Sequence, residues 1–156
     1  MGVEGVEVLG TVPDDLRHVL DPDALAFIAG LQRQFGARRS ELLALRPARA
    51  AALVGGDYTA LQNPDPAVRT GDWQVAPTAP ALNDRRTEIT GPTDRKMMIN
   101  ALNSGAQCWM ADLEDANSPT WENVMEAQVN LYDAVRRTLA YTSPEGKTYA
   151  LKPKIA

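Results

Sequence analysis

The stretch that most constrains this chain is AQCWMADLEDANSPTWENVMEAQVNLYDAV, residues 106–135, because three kinds of local structure are written in it in one order. Residues 106–111 form an apolar run of strand length. Three carboxylates follow within four positions, Asp112, Glu114 and Asp115. A helical pattern comes next: Ser118 offers an N-cap, Pro119 suits the first helical position, and Val124, Gln128, Leu131 and Val135 share a stripe. Strand, acidic turn, helix is the βα order of a parallel α/β architecture, in which functional groups gather where strands end and loops lead into helices.

Like charges this close repel unless water screens them or a cation or basic side chain compensates. With extended backbone through the run, Asp112 and Glu114 face one way and Asp115 the other, so at most two share a direct site. Such hard oxygens suit Mg²⁺, which keeps several waters and takes only one or two protein carboxylates. The plainer reading has Asp115 and Ser118 capping the next helix while Asp112 and Glu114 meet solvent or arginine. Charge and spacing leave both open.

Upstream, DPDALAFIAGLQRQFG predicts an amphipathic helix: Asp21 caps, Pro22 starts, Leu25, Ile28, Leu31 and Phe35 share a face, and Gly36 closes it. A second helix, RRSELLALRPARAAALVGG, carries Leu42, Leu45 and Leu53, is interrupted or kinked at Pro47, and stops at Gly55 and Gly56. These two segments gather Arg33, Arg38, Arg39, Arg46 and Arg49 against Glu41 alone. Without interleaved aromatic or glycine-rich sequence, that reads as a solvated face before it reads as a phosphate or nucleic-acid footprint. Residues 56–92 are rich in Pro, Asp, Asn and Thr and read as a linker of extended pieces and turns. TDRKMMINALNSG then predicts a third helix, with Met97, Met98, Ala101 and Leu102 at helical spacing. At the other end, Ser-Pro-Glu-Gly between two short β-prone pieces predicts a hairpin.

Arg85 and Arg86 in LNDRRTEITGP form a candidate clamp for the phosphates of a large anionic substrate, and pair equally well with Asp84 and Glu88. The lone His18 has no second His or Cys at ligand spacing and reads as a surface side chain. Trp73, Trp109 and Trp121 read as packing anchors. A formal charge of −4 removes the blanket case for nucleic acid or an anionic membrane as partner. The single Cys108, among apolar neighbours, excludes an internal disulfide and fits a buried thiol in a reducing compartment. No apolar run approaches the roughly 20 residues of a membrane span, and MGVEGVEVLG lacks the basic start and apolar centre of a secretory signal, so the cytoplasm is expected.

GDWQVAP, DRRTEITGPTDRKMMINALNSGA, MADLEDANSPTWENVMEAQVNLYDAVRRT and YTSPEGKTYAL together resemble consecutive landmarks of the malate synthase family in its shorter, A-type form. The resemblance runs over roughly residues 22–151. It implies an α/β enzyme built on a (β/α)₈ TIM barrel with an N-terminal helical clasp. That enzyme condenses acetyl-CoA with glyoxylate and water to give malate and CoA, using Mg²⁺. In this chain it implies a clasp over residues 1–72, a connection and helix over 73–105, and the first strand–helix unit of the barrel with a hairpin over 106–156. Asp112, Glu114 and Asp115 then lie beside the metal and reach it through water, with Glu114 and Asp115 foremost; Arg85 and Arg86 are offered to CoA. The family's catalytic arginine, principal Mg²⁺ carboxylates and aspartate base are expected beyond Ala156, the last residue of LKPKIA. The resemblance therefore implies an N-terminal fragment, inactive alone, with no catalytic residue of its own. An acyl-CoA lyase with a similar acidic turn, and a noncatalytic helical module binding a partner or RNA through its arginines, are the rival readings.

Overall fold

A computed structural model describes residues 2–59 and 65–156, and the chain divides into two compact units. Part of the expected linker, residues 60–64, lies outside the described residues.

One unit comprises residues 2–6 and 22–77. Its main element is α1, Pro22–Val54, a single helix of 33 residues where the sequence predicts two. Gly36 does not end it. A glycine in a helix interior costs only about 1 kcal/mol, and the surrounding Ala, Leu, Arg and Gln are strong helix formers. Pro47 also sits inside. Its missing N–H leaves the Leu43 carbonyl without an intrahelical donor on a stretch of helix whose side chains face solvent, so water can take the donor's place. The helix does stop where the sequence expects. Gly56 takes a φ of 87°, the Asp57 N–H donates to the Ala52 carbonyl at 3.0 Å, and the Gly56 N–H donates to Leu53 at 3.1 Å. That pair of bonds is a Schellman closure, which glycine adopts without steric cost. Beyond it, α2, Pro66–Thr70, is capped by the Asp65 side chain on the Ala67 N–H at 2.9 Å.

The other unit comprises residues 7–21 and 78–156. Strand β1, Glu88–Gly91, pairs in parallel with β2, Cys108–Ala111, in the register Glu88 with Cys108 through Gly91 with Ala111. The crossover carries α3, Arg95–Leu102, started by the Asp94 side chain on the Met97 N–H at 2.8 Å. This corrects one expectation. The run ending at Ala111 is the second strand of the βαβ unit, and its partner lies inside the expected linker. EITG escapes the sequence because it holds a single large apolar residue, Ile89, beside Arg85, Arg86 and Pro92, and so shows no period-two alternation.

Helix α4, Trp121–Val135, follows β2, with Thr120 as its cap on the Asn123 N–H at 3.2 Å. Ser118 and Pro119 therefore precede the helix instead of starting it; Ser118 presents its carbonyl to the Thr120 N–H and the Asn123 carboxamide. The expected hairpin comes next, β3, Ala140–Thr142, antiparallel to β4, Thr148–Ala150, around Gly146 at a φ of 83°. After β4 the chain returns to α3, where the half-buried Ala156 donates its N–H to the Leu102 carbonyl at 2.9 Å and so satisfies one of the helix's terminal acceptors. Met98, Ile99, Leu102, Ala134 and Leu139 form the core of this unit, with Trp109, Leu131, Tyr141 and Tyr149 packed against it. Architecture is thus α/β, with one long helix and two two-stranded sheets among the described residues. No described helix is long and apolar enough to cross a membrane.

Candidate functional site

Parallel pairing carries the acidic turn to the C-terminal ends of β1 and β2. The Asp112 N–H donates to the Gly91 carbonyl at 3.0 Å, extending the ladder one residue beyond β2. There the backbone bends. Asp112 Oδ1 accepts the N–H of Glu114 at 3.1 Å and of Asp115 at 2.8 Å, an Asx-type turn built from the first acid of the cluster. The three carboxylates thereby separate in role: Asp112 is half-buried and bonded to its own turn, whereas Glu114 and Asp115 are exposed.

Two adjoining loops are tied together behind the turn. Thr93, buried between β1 and α3, meets Asn117 twice: its N–H donates to Asn117 Oδ1 at 3.2 Å, and Asn117 Nδ2 donates to Thr93 Oγ1 at 2.5 Å. The Thr93 carbonyl accepts from Asn130 Nδ2 at 2.9 Å. Asn130 in turn accepts from Arg95 Nη1 at 2.8 Å. A polar cavity of about 220 Å³ adjoins these loops, lined among others by Thr93, Asp94, Asn117, Ser118, Asn123 and Glu126. Sequence pattern alone missed this network, since its members lie 24 to 37 positions apart. The available signal was local: polar residues clustered at the start of one helix and on the face of another, with nothing to say that they meet.

The two sets of candidate residues are not brought together. Arg85 and Arg86 are exposed just before β1, so they lie at the strand starts, while the carboxylates lie at the strand ends. Arg86 is already engaged, its Nε and Nη2 donating to Asp84 at 2.8 and 2.9 Å. The Arg86 guanidinium holds the Asp84 carboxyl below the usual carboxylate range.

Among the described residues no three His, Cys, Asp or Glu groups converge closely enough to hold a metal ion. The donors present therefore do not build a metal cage by themselves. Two exposed carboxylates, Glu114 and Asp115, are what the turn can present to a hydrated ion whose remaining ligands come from elsewhere.

Elsewhere, Arg38, Arg39, Arg46 and Arg49 lie along α1 with Phe35, Leu42 and Leu45, and Arg38 pairs with Glu41 at 2.5 Å. His18 is exposed and packs edge-on against Tyr132, with ring centroids 4.8 Å apart. Cys108 is buried in β2.

Residues 4–68 match the family described as malate synthase, N-terminal domain. A malate synthase of Myxococcus xanthus is 56% identical over 152 residues, which are 97% of this chain and 28% of that protein. A glyoxysomal malate synthase of Candida tropicalis is 48% identical over 150 residues, 96% of this chain and 27% of the relative. One from Streptomyces clavuligerus is 53% identical over 139 residues, 87% and 26%. The chain thus spans about a quarter of the length of these relatives.

Proposed function

Because the chain belongs to the malate synthase family, we propose that it forms the N-terminal part of an enzyme that condenses acetyl-CoA with glyoxylate and water to give malate and CoA. The observation that carries this reading is identity of 56% sustained over 97% of the chain. Two of the landmarks of the resemblance carry most of the βαβ unit: Glu88–Gly91 and Arg95–Leu102 lie in DRRTEITGPTDRKMMINALNSGA, and the end of Cys108–Ala111 opens MADLEDANSPTW.

We read residues 1–72 as a helical clasp and the region from β1, Glu88–Gly91, to Ala156 as the opening of a (β/α)₈ barrel, which shortens the connection expected over 73–105 to residues 73–87. Among the described residues the parallel pair leaves both outer edges open, and further strands beside β1 and β2 would close them. The catalytic arginine and the aspartate base would come from those further strands, outside residues 1–156. The acidic turn would then stand on the barrel's catalytic rim. Mg²⁺ bound there would draw charge from the glyoxylate aldehyde. Glu114 and Asp115, with Asp112 behind them, would hold its bound waters, and Asp112 would keep the turn's amides aligned. For CoA we favour Arg85 over Arg86, whose guanidinium Asp84 already holds. A buried lone thiol suits a reducing compartment, in keeping with a cytoplasmic protein.

The test is a chimera in which this chain replaces the aligned 28% of the Myxococcus xanthus relative. It should release CoA from acetyl-CoA only when glyoxylate and Mg²⁺ are both present. Glu114→Gln and Asp115→Asn should each raise the Mg²⁺ requirement several-fold, and Arg85→Ala should raise KM for acetyl-CoA. A folded chimera that releases no CoA under conditions where the parent does would end the proposal.

A further inference from the structure

We infer that Asn117 and Thr93 are a positioning pair that sets the location of the Asp112–Asp115 turn, an inference that rests on the function proposed above. The turn leaves β2 pinned at one end, where the Asp112 N–H meets the Gly91 carbonyl at 3.0 Å. Its other end is pinned at Asn117, two residues past Asp115, whose carboxamide gives both its acceptor and a donor to Thr93. Both anchors lie on the segment that ends β1 and leads into α3. Residues 113–116 therefore span a short loop closed at both ends on one neighbouring segment, which leaves few backbone conformations open to it.

Chemistry at the second anchor is specific. A carboxamide can meet an N–H and a hydroxyl oxygen at once, whereas an apolar side chain can meet neither. Thr93 is 2% exposed, so a group there that loses its partner is left buried without water. Its carbonyl is held in turn by Asn130 from the middle of α4, so one threonine joins the loop after β1, the loop after β2 and the helix behind them. The outward carboxylates of Glu114 and Asp115 inherit their place from this joint. A constellation acting on a bound ion must be held to within about 0.5 Å, and that support comes from residues that never touch the ion.

Amide exchange at residue resolution on the 156-residue chain tests the pair. Thr93→Val removes the hydroxyl at nearly constant shape, Thr93→Ser restores it, and Asn117→Leu removes both halves of the carboxamide contact. The Glu114 and Asp115 amides should exchange at least tenfold faster in T93V and N117L and within twofold of wild type in T93S, with interior amides of α4 within twofold throughout. Should N117L fail to fold, T93V against T93S decides alone. Unchanged rates in the turn, or equal acceleration of the turn and α4, would reduce the contact to general stability and overturn the inference. Because the ion's remaining ligands would come from outside residues 1–156, the metal role of the turn is decided by the Mg²⁺ requirement of the chimera, while the exchange rates decide whether the pair positions it.

Discussion

The indole N–H of Trp121 donates to the main-chain carbonyl of Thr11 at 2.8 Å, and the same ring lies so close to Gly10 that a Cβ there would come within 2.3 Å of it. The first residue of α4 is thus held by a segment 110 positions away, and Leu16 is buried in the 3-10 turn that follows that segment. Glycine is needed at position 10 for close approach, which no larger side chain permits.

Gly10→Val should accordingly destabilise this unit by about 1–3 kcal/mol, the usual cost of overpacking. Trp121→Phe removes the indole N–H together with the five-membered ring that rests on Gly10, so it loses packing as well as the hydrogen bond and should cost about 1–2 kcal/mol. Urea unfolding followed by circular dichroism would rank them; a G10V variant as stable as wild type would show that the segment does not pack there.

Arg95 spreads its guanidinium over three acceptors: the Ala140 carbonyl at 2.7 Å, Asn130 Oδ1 at 2.8 Å and Asp133 Oδ2 at 2.5 Å. It joins α3 to α4 and to the start of the hairpin. Arg95→Met leaves the partly buried Asp133 carboxylate without its cation, and should cost about 3 kcal/mol. Arg95→Lys should recover only part, because an ammonium cannot present the planar fork. Equal midpoints for R95K and wild type would contradict this account.

Ile99 is 1% exposed in the core of its unit, whereas Leu42 on α1 is 46% exposed. Ile99→Ala should therefore cost about 2–5 kcal/mol through lost transfer energy and a residual cavity, and Leu42→Ala should cost well under that in the same chain. Denaturant midpoints for the two variants make the comparison, and similar losses would mean that the Leu42 face is covered in solution.

Asp84 has a depressed pKa, first because Arg86 donates hydrogen bonds to its carboxylate. A depressed acid lends its stabilisation above the unfolded-state value, near 3.9, and loses it as pH falls through the lower folded value. A carboxyl-carbon NMR titration should place the Asp84 midpoint below that of a free aspartate, and Arg86→Gln should return it there. Coincident midpoints in the two proteins would remove the pairing.

Much of the fold was legible residue by residue. Pro22 at a helix start, Gly55 and Gly56 at its end, the spacing of Met98, Ala101 and Leu102, and the Ser-Pro-Glu-Gly turn are local signals whose physics acts within a few positions, and the elements formed where those signals stand. The order of strand, acidic turn and helix was likewise readable, and the family landmarks narrowed what such an order belongs to.

Tertiary structure decided the rest, because the deciding partners are remote in the chain. EITG became a strand only by pairing with Cys108–Ala111, since one isoleucine carries no periodic signal and a parallel ladder draws its register from the strand beside it. Gly36 was carried through as helix because its neighbours' propensity outweighs one residue's entropy. The carboxylates after Ala111 were in plain view as a charge cluster, yet the contact that fixes them runs through Thr93, 24 positions before Asn117. Hydrogen bonds depend on distance in space, and a linear pattern does not encode that.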